Sequence, residues 1–248
     1  MLYPDLMNFS LEITMKTDLS ELPKVTDVYI TMLPGNDYKK VANKAAELVK
    51  LDFNPVPHFP ARSIKNLAEL KDFVTRCTDG GVKQALVIGG SEQPIGDFHC
   101  SLQLLETGLF EGFRIGIAGH PEGSLDISDS ILEKAMMDKK PHADYIVTQW
   151  TLNSDPIAKF ISKQTLPVHV GITGPLKISS LLKFANIVGA KNSINFLKSN
   201  VTKALDLLKP RDPNDIIEKL KDSVDNFHIY TFGGLKETNK WLTENNYA

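Results

Sequence analysis

Side chains able to handle protons or hold a polar ligand occur where short apolar runs of this sequence come to an end. Glu12 sits in FSLEIT, two residues from its close; His58 stands in NPVPHFP, His120 ends FRIGIAGH, and Gln149 stands near the end of YIVTQW. A carboxylate inside an apolar run is either a partnered structural group or one whose pKa desolvation has raised, which suits a general acid near neutral pH. An amide can either cap a loop or hold a ligand. His58 and His120 could bind a metal with Glu12 or Glu122, but no HxH or HExxH spacing occurs, so no metal centre is read. His169 and His228 fall earlier in their runs and read as satisfied core histidines. The glycines of VIGGSEQPIG would let a backbone approach a planar or phosphorylated ligand, an ordinary tight turn being the plainer alternative. GxGxxG is absent, and no Ser-His-Asp or activated-cysteine pattern supports nucleophilic hydrolysis.

Those residues need a scaffold that brings strand ends together. Eight short runs rich in Val, Ile, Phe and Thr recur at 9–14, 28–32, 54–60, 84–90, 113–120, 145–150, 166–174 and 227–234. Most intervals between them carry amphipathic helix patterns. NDYKKVANKAAELVKL aligns Val41, Ala45, Leu48 and Val49, and IKNLAELKDFVTRC aligns Leu67, Leu70, Phe73 and Val74. DSILEKAMM, LLKFANIV, FLKSNVTKALDLL and DIIEKLKDSV repeat the pattern, whereas MKTDLSELPK after the first run holds barely two turns. Strands alternating with helices imply right-handed parallel crossovers. Eight such units in 248 residues match an α/β single-domain (β/α)8 TIM barrel spanning 1–248, with an open doubly wound sheet as runner-up. Catalytic groups of such barrels gather at the C-terminal ends of the strands, where Glu12, His58, Gly89-Gly90-Ser91, His120 and Gln149 all fall.

Composition removes several classes. With 42% hydrophobic and 23% charged residues and a net charge of −2, the chain can bury a core and has no basic excess for nucleic acid. Two cysteines, Cys77 and Cys100, without CxxC spacing, do not make a disulfide framework. No apolar run approaches the roughly 18 residues of a membrane span, and the N-terminus lacks a signal-peptide pattern. A cytoplasmic protein is the expectation.

Taken in order, FSLEI, the histidine of PHFP, IAGHPEG, ADYIVTQ, VHVGITGPLKISSLLKFA and FHIYTF resemble the methylenetetrahydrofolate reductase family over nearly the whole chain, nearest a divergent bacterial branch with PHFPAR, AGHPEG and LPVHVGI motifs. The resemblance implies an oxidoreductase of one-carbon metabolism that interconverts 5,10-methylenetetrahydrofolate and 5-methyltetrahydrofolate, passing hydride between NADH or NADPH and folate through FAD. By position it makes Glu12 the catalytic acid, and Gln149 and Phe184 the groups that place the tetrahydrofolate derivative, although Phe184 by its helix stripe alone reads as core. It places His58, Gly89, Gly90, Ser91, Ala118, Gly119 and His120 around the flavin.

The chain departs from that family most on the flavin side. Gly89-Gly90-Ser91 stands for a usual Arg-Gly-Asp, His120 for a tyrosine, and Gly233-Gly234 for Asn-Arg. Losing the aspartate would raise the flavin's potential and favour oxidation of the methyl group. The alternative is a flavin-free protein, either transferring hydride directly or binding folate for a methyltransferase pathway. Relatives of this kind commonly form homo-oligomers. A third class, an unrelated aldolase or metal-dependent hydrolase barrel, would require a strand-end lysine or clustered metal ligands, and neither is apparent.

Overall fold

The computed structural model describes residues 7–25, 27–90, 93–124, 127–188, 210–224 and 226–247, with the side chains of 184–188 and 210 excepted. Eight strands close a parallel barrel: β1 (Phe9–Ile13), β2 (Asp27–Ile30), β3 (Asn54–Pro60), β4 (Gln84–Ile88), β5 (Arg114–Gly119), β6 (Tyr145–Thr148), β7 (Val168–Thr173) and, after a small ribbon, β10 (Asn226–Tyr230). The ribbon pairs β8 (Leu176–Lys177) with β9 (Pro210–Arg211) in antiparallel fashion. β10 lies between β7 and β1 and completes the ring. The chain is therefore a (β/α)8 barrel, as its alternation of strand and helix patterns indicates.

The strands read as near-continuous apolar runs because both their faces are covered. Outward residues such as Leu11, Ile30, Phe59, Val87, Ile117 and Ile229 are buried against the surrounding helices. These helices are α1 (Tyr38–Lys50), α2 (Leu67–Asp79), α3 (Ser101–Leu105), α4 (Asp129–Lys139), α5 (Ser154–Ile161), α6 (Ile178–Val188), α7 (Asn214–Leu220) and α8 (Leu235–Glu244). In α1 the stripe Val41, Ala42, Ala45 and Leu48 is buried, and Asp37 caps the first turn by accepting from the Lys39 amide. Each such leucine removed from water stabilises the fold by about 2 kcal/mol. In α2 Asn66 does the same for the Glu69 amide. The thin first connection holds only a 3-10 turn, Leu19–Glu21, while FLKSNVTKALDLL lies outside the described residues.

Alternate positions fill the barrel with aromatic and polar side chains. Tyr29, Val56, Leu86, Tyr145 and Val147 pack together inside the ring. The Tyr29 hydroxyl donates to that of Tyr145 at 3.3 Å and meets His169 Nδ1 at 3.4 Å, and the Tyr145 and His169 rings stack at 4.4 Å. Towards the N-terminal face, Arg114 lies over the Tyr145 ring and donates to Gln84, which donates to Asp27. Among the described residues, no helix is long and apolar enough to cross a membrane.

Candidate active site

Register decides which side chains meet at the mouth. β1 and β10 run side by side with Ser10 opposite His228 and Glu12 opposite Tyr230. Because strand side chains alternate, Ser10 and Glu12 share the inner face with His228 and Tyr230. β3 brings His58 across the interior. Glu12 Oε2 lies 3.5 Å from His58 Nε2 and 3.8 Å from His228 Nε2. The Glu12 side chain retains 18% exposure, against 6% for His58 and none for His228, so the carboxylate is the member that faces out.

Both distances exceed an ordinary hydrogen bond. The Nε2 atoms of His58 and His228 and the hydroxyl of Thr31, which follows β2, are buried without a hydrogen-bond partner. Buried polar atoms in native proteins nearly always have partners. A group of three around one carboxylate is hydrogen-bonding capacity held ready for a ligand's polar atoms.

The electrostatics reverse the expectation for Glu12. Burial pushes its pKa up, but contact with the His228 imidazole, the pull of His58 and His228, and the Thr31 hydroxyl together outweigh burial and leave it below its ordinary value. Glu12 is therefore ionised at neutral pH and suits a general base, not the raised-pKa acid read from its apolar run. Burial lowers the His58 pKa despite the opposing pull of Glu12, so that ring is neutral. Tyr230 is pushed well above its usual value, by burial first and then by the Glu12 charge, and its hydroxyl donates to the Thr148 carbonyl at 3.1 Å.

The other expected site residues separate. Gln149 follows β6 at the mouth, its amide N–H bonded to the Gly119 carbonyl at 2.8 Å. Ala118 alternates onto the inner face of β5 and stays partly exposed. Gly119 points the other way: a Cβ there would come within 2.7 Å of both Ile146 and Phe160, so it is a glycine for packing against α5 and not for bringing backbone to a flavin. Gly89 has open space where a Cβ would stand, and Gly90 has a φ of +88°, a turn conformation that favours glycine. Arg62, after β3, braces this turn by donating to the carbonyls of Gly90 and His99. His120 follows β5, with its pKa lowered to about 4 by burial and then by the charge of Lys139. Ser91 and the side chain of Phe184 lie outside the described residues.

His228 was missed in the sequence because it sits in mid-strand. The signal available was alternation: Asn226, His228 and Tyr230 put polar atoms on one face of NFHIY, next to Ser10 and Glu12.

The described residues do not fit a divalent-cation centre of the hard, oxygen-ligated type. Glu12 has two imidazoles for neighbours where such an ion takes several oxygens. Among the described residues, no group of three or more His, Cys, Asp or Glu side chains could hold a metal ion.

No family model matches the chain. Its fold is similar to solved structures. One is a 2,3-dimethylmalate lyase, a PEP mutase/isocitrate lyase superfamily member, at 8% identity and a TM-score of 0.58, covering 98% of this chain and 80% of that one. Another is an oxaloacetate acetylhydrolase in complex with oxalate, at 9% identity and 0.56, covering 96% and 80%. A protein of Burkholderia cenocepacia J2315 described as a "putative lyase/mutase" matches at 12% identity and 0.54, covering 98% and 82%. At such identities the likeness concerns the fold.

These neighbours overturn the methylenetetrahydrofolate reductase reading. They are lyases, mutases and an acetylhydrolase, not folate oxidoreductases. With that reading go the oxidoreductase activity, FAD, NADH or NADPH, the tetrahydrofolate substrate and the flavin-free folate-binding alternative. The physical reason lies in the motifs: a glycine near a strand end can serve packing alone, as Gly119 against Phe160 illustrates.

Proposed function

We propose that this barrel is an enzyme of the lyase type that makes or breaks a carbon–carbon bond in a small organic acid, with Glu12 as general base. The observation that carries the reading is an ionised Glu12 carboxylate at the barrel mouth, 3.5 Å from a buried neutral imidazole, His58. The fold supports it, since the chain resembles a 2,3-dimethylmalate lyase and an oxaloacetate acetylhydrolase, proteins named for acting on small dicarboxylic acids.

The chemistry follows from the two groups. A malate-type 2-hydroxy acid would give its hydroxyl proton to Glu12 while the bond from the carbinol carbon to its neighbour breaks. The products are a 2-oxo acid and the carbanion of a second carboxylic acid, which takes a proton on carbon. Neutral His58 can accept or donate hydrogen bonds along that path without placing a second charge in the site. Arg62 brings a guanidinium to the rim beside the β4 turn, a suitable anchor for a substrate carboxylate.

The test is a panel of substituted malates and oxaloacetate, followed by proton NMR for released 2-oxo acids and monocarboxylic acids. Cleavage of at least one, reduced about a hundredfold or more in Glu12→Gln, is expected. Failure to turn over any of them, or turnover undiminished in the variant, contradicts the reading.

A further inference from the structure

Behind Glu12 a second chain of polar atoms runs down the seam between β1 and β10. Ser10 and His228 are fully buried and face each other in register, with Asn226 next below and 8% exposed. The Ser10 hydroxyl donates to Asn226 Oδ1 at 2.9 Å, and the same oxygen lies 3.1 Å from His228 Nδ1. A hydroxyl has one hydrogen. With it given to Asn226, the oxygen can only accept from His228, so Nδ1 carries the ring's hydrogen. The neutral ring then turns a bare Nε2 towards Glu12 Oε2, and that Nε2 is one of the buried atoms without a partner. A bare Nε2 offers the carboxylate no hydrogen bond, and a proton on Nε2 turns the 3.8 Å contact into an ion pair, the form in which His228 lowers the Glu12 pKa.

We infer that Ser10 and Asn226 are positioning residues that lock His228 as the Nδ1–H tautomer, making its Nε2 the store for the proton that Glu12 removes from substrate. The inference deepens the proposed function and rests on Glu12 acting as a base. The proton passes from the substrate hydroxyl to Glu12, from Glu12 to the fully buried His228 Nε2, and then back through Glu12 to the product carbanion. Glu12 is thereby restored as a carboxylate. The groups facing His228 are Glu12 from β1, the Tyr29 ring at 4.3 Å from β2, the Tyr230 ring at 4.8 Å on β10, and the charge-coupled His58 of β3 and His169 of β7. Of these, Glu12 is the one that is ionised at neutral pH and can act as counter-ion.

The tautomer can be read without substrate, by long-range proton–nitrogen correlation NMR of the nitrogen-15-labelled protein with His228 assigned. The expected pattern for the neutral ring is a protonated Nδ1 and a bare Nε2, kept in Asn226→Asp, which retains the accepting oxygen, and shifted towards Nε2–H in Ser10→Ala. With a substrate, Ser10→Ala should lower kcat at least about tenfold at unchanged KM, as expected when an imidazole is released into the wrong tautomer. An Nε2–H tautomer in the wild-type protein overturns the inference, whatever the activity proves to be. Absence of turnover with the expected tautomer intact contradicts the proposed function alone.

Discussion

The mouth of the barrel and its middle use the same residue types, histidine beside tyrosine or carboxylate, to opposite ends. In the middle, Tyr29, Tyr145 and His169 are joined by hydrogen bonds and stacking, and Arg114, Gln84 and Asp27 extend the network below them. At the mouth, Glu12, His58, His228 and Thr31 stand close, yet three of their buried polar atoms have no hydrogen-bond partner. A paired buried network repays its desolvation and fixes the fold, whereas unpaired atoms around a carboxylate lower stability and leave capacity for a ligand. The difference in pairing, more than the residue types, marks where chemistry belongs.

Breaking each region should therefore give a different kind of loss. Glu12→Gln should cost activity a hundredfold or more while the melting temperature holds within a few degrees, checked by kinetics alongside calorimetry. The next effect is acid sensitivity of two buried histidines, His169 in the middle and His120 at the mouth. Burial first, then the charge of Arg114, holds the His169 pKa down at about 3, and burial first, then the charge of Lys139, holds that of His120 at about 4, both below the ordinary value of 6.5. The unfolded chain takes up these protons below pH 6.5 while the folded chain does not until about 4 and 3. Their contribution to stability is thus complete above pH 6.5 and is lost as pH falls. Between pH 6 and 4 the slope from two such groups approaches ~2.7 kcal/mol per pH unit, measurable in urea titrations. A stability independent of pH over that range would contradict the neutral, buried state of both rings.

Smaller effects sharpen the contrast. Gly119→Ala should cost about 1–3 kcal/mol by overpacking against Ile146 and Phe160, with substrate KM unchanged. Tyr29→Phe removes the hydroxyl that meets both Tyr145 and His169 and should cost about 1–2 kcal/mol, read from the urea midpoint, with kcat within a factor of two or three. A large kcat loss in Tyr29→Phe without a stability change would erase the division between the two regions.

Much of the scaffold was legible in the sequence because barrel strands covered on both faces are mostly apolar. β3 spans 54–60, as its apolar run indicated, and β5 falls one residue inside its run at each end. Glu12 and His58 were legible for a related reason, as polar groups at the ends of such runs. His228 was not, because its partners Ser10 and Glu12 lie more than 200 residues away and only the closed ring brings them beside it. The direction of the Glu12 pKa shift was equally hidden: burial alone predicts a rise, and the two imidazoles that reverse it come from other strands. Gly119 misled because a glycine needed to admit Phe160 looks, in one dimension, like a glycine that admits a cofactor.

The central claim, that Glu12 shuttles a proton for carbon–carbon bond cleavage in a small organic acid, is tested most directly by running the reaction in deuterium oxide. Wild-type enzyme should release the monocarboxylic product with one deuterium on the carbon freed by cleavage, and Glu12→Gln should form that product at least about a hundredfold more slowly. Equal rates of labelled product from both proteins would show that the proton does not pass through Glu12 and would contradict the account.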